Sequence, residues 1–279
     1  MEINEIKAVN ALNRTSINLA EYVLNPYRGC EFACLYCYNR FNKVNKKDSR
    51  KWGEYLEVRT NIVDLLKKEI VLKKPRSILL GSTTECFQPF EEKSRVMRDI
   101  LTILNSERIP YYILTRSPLS CDYVNLLRSD SCKGIYFTVN NYSEPFRSIF
   151  EPKAPSFESR IECVKELLSE DVRVIPYFSP VLPWISRYDA VSELFPGASR
   201  IEFEFLNFNL GNIAKIIEAI RNIDESLGER YGQMITNGDQ FRKVWDAVKM
   251  EIRIFAERHS IKEFYMHEHE FFGFFHNRY

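Results

Sequence analysis

The stretch from Asn25 to Arg40 reads NPYRGCEFACLYCYNR and sets three cysteines, Cys30, Cys34 and Cys37, in one loop. Thiolates spaced by three and then two residues can serve a single metal centre, whereas an odd number cannot close fully into disulfides. The loop therefore reads as a metal site. Structural zinc normally takes four protein ligands, yet no histidine precedes His259 and no second CxxC occurs. An iron–sulfur cube held by three thiolates keeps one iron open for a small ligand. That reading is favoured, with zinc as the alternative.

Working outward, Tyr22 to Leu24 reads as a short strand that Asn25-Pro26 ends, and Gly29 permits a sharp turn into the cysteine loop. The metal site should thus lie at a strand's C-terminal end. Residues 1–20 show little periodicity and are expected to form an N-terminal arm. After the loop, Arg40, Lys43, Lys46, Lys47, Arg50 and Lys51 face only Asp48 in sequence. Such a run can hold nucleic-acid phosphates, with Trp52 and Tyr55 to stack bases, or it is a solvated face.

Farther along, Thr60 should cap a helix carrying Ile62, Leu65, Leu66, Ile70 and Leu72. The pattern then alternates. Strands are expected at 77–81, 111–114, 134–139, 172–178 and 200–206, with helices at 92–106, 119–128, 156–168 and 188–195. Six alternations, counting the first strand, predict an α/β fold. A parallel sheet with right-handed crossovers would form a partial (βα)6 TIM-like barrel with its ligand site at the strands' C-terminal ends. Residues 21–210 would be this core, and 211–279 an extension with helices near 213–221 and 240–258 and an aromatic tail. Polar clusters follow the strands: Thr84 and Glu85, then Thr115, Arg116 and Ser117, then Asn140 and Asn141. Hydroxyls and a carboxylate at one strand end suit a ligand with an ammonium group and a ribose.

Acidic and basic residues nearly balance, 38 against 39, so net charge declares no nucleic-acid binder. Forty-five per cent hydrophobic residues suffice for a core. The seven cysteines show no pairing pattern, and Cys121, Cys132 and Cys163 are scattered, so a second cluster is not expected. With no apolar run at the N-terminus, a cytoplasmic protein without membrane insertion is the expectation. His267-x-His269 with Glu268, Glu270 and His276 is a weaker metal candidate, set against a tail that packs aromatics on the core.

The cysteine spacing resembles the CxxxCxΦC signature of the radical S-adenosylmethionine superfamily, with Tyr36 in the aromatic position. NPYRGC, GSTTECFQPFE, ILTRS, YFTVN, FEPKAPSFESRIE and PYFSPVLP resemble, in order, segments of the spore photoproduct lyase group, also described as DNA repair photolyase-like. The resemblance covers most of residues 11–183. It implies a [4Fe–4S] cluster on Cys30, Cys34 and Cys37 whose open iron binds S-adenosylmethionine. Reductive cleavage there gives a 5′-deoxyadenosyl radical, and a reductant such as flavodoxin or ferredoxin is implied. By position, Thr84 and Glu85 match a hydroxyl and an acid near the cofactor's ammonium. Arg116 falls where a lysine meets the methionine carboxylate, and Thr138 and Asn140 match a strand end at the ribose. One departure stands out. Where the dimer-splitting lyase has a hydrogen-donating cysteine, this chain has Ser82, whose O–H bond is too strong for that task. Cys86 and Tyr38 are the remaining relay candidates.

The leading expectation is a radical enzyme acting on a substrate that includes nucleic acid as its first candidate. A peptide or small metabolite is the alternative substrate, and a non-catalytic zinc-bearing nucleic-acid-binding protein is the reading from another class.

Overall fold

The structure is a computed structural model that describes residues 1–42, 45–188, 191, 200–208 and 211–269. The strands, in chain order, are β1 (Glu2–Ile6), β2 (Asn13–Arg14), β3 (Tyr22–Leu24), β4 (Tyr27–Arg28), β5 (Tyr55–Arg59), β6 (Ile78–Leu80), β7 (Tyr111–Thr115), β8 (Cys132–Thr138), β9 (Val174–Val181), β10 (Arg200–Phe205) and β11 (Glu263–His267). The helices are α1 (Ile62–Lys73), α2 (Glu91–Ser94), α3 (Val96–Ser106), α4 (Val124–Leu127), α5 (Glu144–Phe150), α6 (Phe157–Ser169), α7 (Ile213–Ile223), α8 (Glu225–Thr236) and α9 (Gly238–Arg258). The α/β class and the mostly parallel sheet are as expected.

The chain forms two compact units, one of residues 1–33, 48–139 and 153–176, the other of 34–47, 140–152 and 177–279. In the first, β3, β6, β7 and β8 run parallel, with Tyr22 opposite Ile78, Ile78 opposite Tyr111 and Tyr111 opposite Cys132. Ile78, Leu79 and Leu80 are fully buried, so this strand is apolar on both faces, as a helix-covered parallel strand must be. Covering helices follow the same logic. In α3 the buried residues Met97, Ile100, Leu101 and Leu104 recur at helical spacing, and in α6 Ser156 caps the helix by accepting from Ser159 N at 3.2 Å.

Several sequence expectations need adjusting in this unit. Residues 2–6, within the expected N-terminal arm, form a strand that pairs with β5, on whose other side lies β4. Ala11 and Leu12 are buried, their amides bound by the Glu69 carboxylate at 3.0 and 2.8 Å. The position before α1 is Asn61 rather than Thr60. The helix expected at 92–106 breaks at Arg95, which takes a left-handed conformation (φ 53°) between α2 and α3. That expected at 119–128 is a 3-10 turn over Pro118–Tyr123 followed by α4. Cys121 and Cys163, read as scattered thiols, form a disulfide with Cα atoms 6.1 Å apart. A spacing of 42 residues gave no sign that the segment before α4 and helix α6 pack together.

In the second unit the end of β9, β10 and β11 run parallel, with Phe203 opposite Phe178 and Glu204 opposite His267. Aromatic packing builds its core. Phe178 stacks on Phe203 at 5.1 Å between centroids, and Phe205 on Trp245 of α9 at 4.2 Å. The sequence reading missed α8. Most of the short helix expected at 188–195 and most of the aromatic tail, including Glu270 and His276, lie outside the described residues. Among the described residues no helix is long and apolar enough to cross a membrane.

Candidate functional site

In the first unit, β3 delivers Asn25, and β4 leads into Gly29 and Cys30. Gly29 has φ +93°, and a Cβ there would lie 2.5 Å from Tyr55 O, so only glycine makes this turn. The start of the cysteine loop is held by the segment after β6. Thr84 Oγ1 donates to Gly29 O at 2.6 Å, and Glu31 N donates to Gln88 Oε1 at 3.0 Å. Glu31 in turn accepts from Phe90 N at 2.7 Å. Glu91 is fully buried; it accepts from the Tyr27 hydroxyl, from Tyr123 OH at 2.7 Å and from Met97 N at 2.8 Å. The QPFE segment is therefore the clamp on the strand that enters the loop.

Glu85 is buried and accepts from Thr115 Oγ1 at 2.7 Å and from the amides of Phe87 and Arg116, each at 3.0 Å. Burial raises its pKa and these hydrogen bonds oppose the rise. Arg116 is half-buried and Thr138 buried at the end of β8. Ser82 accepts from Asn25 Nδ2 at 3.1 Å. Cys86 is fully buried, and burial, with the charges of Glu85, Glu91 and Cys30, keeps it a thiol.

The basic run looks different from its sequence. Arg50 pairs with Asp48 at 2.7 Å and Glu57 at 2.5 Å, and Arg28 reaches the same two carboxylates at 2.8 Å. Lys51 pairs with Glu54 at 2.8 Å. Trp52 and Tyr55 are buried, Tyr55 beneath the Arg50 guanidinium at 4.1 Å, so neither offers an open face to a base. Lys43 and the Lys46 side chain lie outside the described residues.

In the second unit, Cys34 is buried and Cys37 half-buried, and Cys37 N donates to Cys34 O at 3.3 Å. Between them Leu35 N donates to Phe150 O at 2.9 Å, while Leu35 O accepts from Asn212 Nδ2 at 2.6 Å. Tyr36 is buried, and its hydroxyl donates to Glu151, itself 1 % exposed. Asn140 Nδ2 donates to Glu151 Oε1 at 3.0 Å and to Ser179 O at 2.7 Å, and its Oδ1 accepts from Ser179 N at 2.8 Å. Tyr36 and Asn140, both expected at the site, thus meet on one carboxylate that sequence reasoning did not single out, although it lies in FEPKAPS.

Glu204 was also missed. It accepts from Tyr177 OH at 2.9 Å and Ser179 Oγ at 2.5 Å and pairs with His269 at 3.3 Å. Burial would raise its pKa, but the bonds from His269 and Ser179 hold it below the ordinary value. Tyr38 is half exposed. The signal lay in IEFEF, whose acids alternate along a strand, opposite the HxH that begins at the last residue of β11. His267 pairs with Glu202 at 2.6 Å, so both histidines of the weaker metal candidate sit against carboxylates.

Cys30, Cys34 and Cys37 all stand outside the disulfide. Among the described residues no three His, Cys, Asp or Glu side chains meet closely enough to hold a single ion. A polynuclear cluster asks something else, since each thiolate binds its own iron. Three cysteines outside any disulfide, in a loop anchored by backbone hydrogen bonds, fit that donor set.

The sequence pattern of the Radical SAM superfamily matches residues 24–187. An uncharacterized protein of Methanocaldococcus jannaschii is 30% identical over 249 residues, 89% of this chain and 92% of that protein. One of Acidianus two-tailed virus is 26% identical over 77% of this chain and 78% of its own length. Spore photoproduct lyase complexed with dinucleoside spore photoproduct superposes with a TM-score of 0.68 over 96% of this chain and 82% of that one, at 13% identity. A tyrosine-to-phenylalanine mutant of that lyase gives 0.66 over 94% and 81%, also at 13%. At such identity the likeness speaks for fold, and the sequence match over more than half the chain speaks for kinship: the chain belongs to the Radical SAM superfamily.

Proposed function

We propose that this protein is a radical S-adenosylmethionine enzyme in which Cys30, Cys34 and Cys37 ligate a [4Fe–4S] cluster. The observation that carries the reading is the three-cysteine loop with none of its cysteines in a disulfide, its start clamped by Thr84 and Gln88 and its aromatic Tyr36 fixed by Glu151. When bound, the cluster would supply the electron that divides S-adenosylmethionine into methionine and a 5′-deoxyadenosyl radical, taken from a flavodoxin- or ferredoxin-like donor. The chain's part is orientation. Arg116 offers a guanidinium fork to the methionine carboxylate, Glu85 an acceptor for the ammonium, and Thr138 and Asn140 the ribose edge. Ser82 cannot return a hydrogen atom to a carbon radical. Of the two relay candidates, Cys86 is fully buried and Tyr38 half exposed, which favours Tyr38 for direct contact with substrate.

The substrate we assign first is nucleic acid, by likeness to the lyase solved with a dinucleoside lesion. The ion pairs of Arg50 and Lys51 favour a second reading, a peptide or small metabolite, because they leave that stretch less charge to offer phosphates. Anaerobic purification tests the core of the proposal. A brown protein containing iron and sulfide, releasing 5′-deoxyadenosine on reduction with S-adenosylmethionine, supports it. Cys34→Ala should abolish both properties. A colourless protein holding zinc, or a Cys34→Ala variant with unchanged iron and nucleoside release, overturns it. Anaerobic turnover with oligonucleotides, with or without thymine-dimer lesions, then separates the substrate classes.

A further inference from the structure

In the chain's most basic stretch Arg50 and Lys51 are held in ion pairs, but cations on a surface of the second unit are not. Along α9, residues three and four apart from Gln240 to Arg258 line two adjoining hollows of about 330 and about 700 Å³, with Glu251 bordering both. Four exposed cations border them: Arg230 and Lys243 at one, Arg187 and Arg258 at the other. Among the described residues none of the four is in an ion pair, and Glu251 is the single carboxylate lining either hollow. Such an imbalance lacks a structural use, since unpaired like charges on one face repel.

An aromatic side chain stands in the same groove. Trp184 is 41 % exposed, with Arg230 Cζ 4.0 Å from its ring centroid and Tyr231 edge-on at 5.6 Å. Its backbone is left-handed (φ +63°), a conformation that costs a non-glycine residue energy and that the neighbouring chain must impose. Tyr231 OH holds Pro183 O at 2.8 Å, and Ser186 Oγ accepts from Leu182 N at 2.8 Å. A tight turn therefore projects a large apolar ring outward. At its other end the groove reaches Asn141, the residue after Asn140, whose carbonyl accepts from Arg187 N at 3.0 Å.

We propose that this groove is a binding track for a single-stranded nucleic-acid segment, with phosphates on Arg187, Lys243 and Arg258 and a base against Trp184 and Arg230. Cationic walls with an exposed indole are what a single strand requires, because every base has a stacking face and every step a phosphate. The length also suits. From Lys243 to Arg258 the helix rises about 22 Å, a track long enough for several nucleotides. The inference deepens the nucleic-acid reading above by giving it a surface that does not use the Arg40–Lys51 run.

The test is fluorescence anisotropy of a labelled twelve-nucleotide oligo-dT with the full-length, cluster-loaded protein across a salt series. Replacing Arg187, Lys243 and Arg258 together by glutamine should flatten the slope of log K against log salt by about 2, at about 0.7 per lost phosphate contact on a single strand. Trp184→Ala should weaken binding roughly 5- to 150-fold. Lys51→Gln, outside the groove, should change neither. Thermal melting checks that the variants fold, and since the glutamine variant alters only exposed side chains, it keeps the test decisive if Trp184→Ala does not. The proposal is overturned if the parent fails to bind, if the glutamine variant keeps the parent's slope, or if polyglutamate of equal charge competes as well as the oligonucleotide. Release of 5′-deoxyadenosine without oligonucleotide is read in parallel. If it persists while binding fails, the groove is wrong and the radical chemistry stands.

Discussion

Removing the Glu151 carboxylate should loosen the cysteine loop from the inside. Glu151 is 1 % exposed and accepts hydrogen bonds from Tyr36 OH and from Asn140 Nδ2. A hydrogen bond to a charged partner contributes about 1.5–3 kcal/mol net, so two amount to about 3–6 kcal/mol. Asn140 keeps Ser179 O at 2.7 Å and lies 3.2 Å from the Tyr36 hydroxyl, so the remaining groups partly satisfy one another. The lower end, about 3 kcal/mol for Glu151→Ala, is therefore expected. At about 2–4 °C per kcal/mol for a chain of this order of size, the melting temperature should fall by roughly 6–12 °C. Iron retained after anaerobic reconstitution should fall with it, because Tyr36 lies between Cys34 and Cys37. Glu151→Gln keeps one acceptor but sets an amide N–H₂ toward that of Asn140, and should lie between the two. The assay is scanning calorimetry of the protein before and after cluster loading. A Glu151→Ala protein that melts within about 2 °C of the parent would refute the view that this carboxylate holds the loop.

Three further outcomes are expected. Cys121→Ser/Cys163→Ser, or reduction of the parent, should lower stability by about 4 kcal/mol, the chain-entropy value for a closed loop of this length, read as a melting shift with the free thiols counted by alkylation. Hydrogen bonding to Arg50 holds the Asp48 carboxyl below its ordinary value, and Glu57 is held low by Arg50 and Arg28. Since their folded pKa values lie below the unfolded ones, their contribution is present above about pH 4 and is lost as pH falls further. Melting curves from about pH 7 to about pH 3 should show a shallower acid loss in Asp48→Asn than in the parent, and equal slopes would contradict the ion-pair network. Finally, Tyr38→Phe should leave 5′-deoxyadenosine release intact while diverting substrate to unquenched side products, measured by mass spectrometry with deuterated solvent. Cys86→Ala should not divert it, and the opposite pattern would make the buried thiol the donor.

Arg50, in the basic run, shows why charge counted along a sequence misleads. Arg50 and Arg28 meet Asp48 and Glu57 over separations of up to 29 residues, and nothing in the local pattern reports such a meeting. The groove on α9 shows the converse. Its cations sit at 187, 230, 243 and 258, too dispersed to read as a cluster, yet helix periodicity and a turn bring them along one face. Glu91 was visible in the QPFE element, but its task, receiving Tyr27 and Tyr123, depends on partners 64 and 32 residues away.

By itself the sequence determined the cysteine loop, the strands β3, β6, β7, β8, β9 and β10 with helices α1, α3 and α6, and the strand ends where polar residues gather. These are local properties: ligand spacing, apolar periodicity, and the turn chemistry of Asn25-Pro26 and Gly29 act within a few residues of chain. Only the tertiary structure decided that Tyr36 and Asn140 share Glu151, that Cys121 and Cys163 are joined, and which cations are paired within the chain. Each of those is a contact between segments far apart in sequence, set by how buried surfaces pack and how buried polar groups find partners, and no window of sequence carries that information.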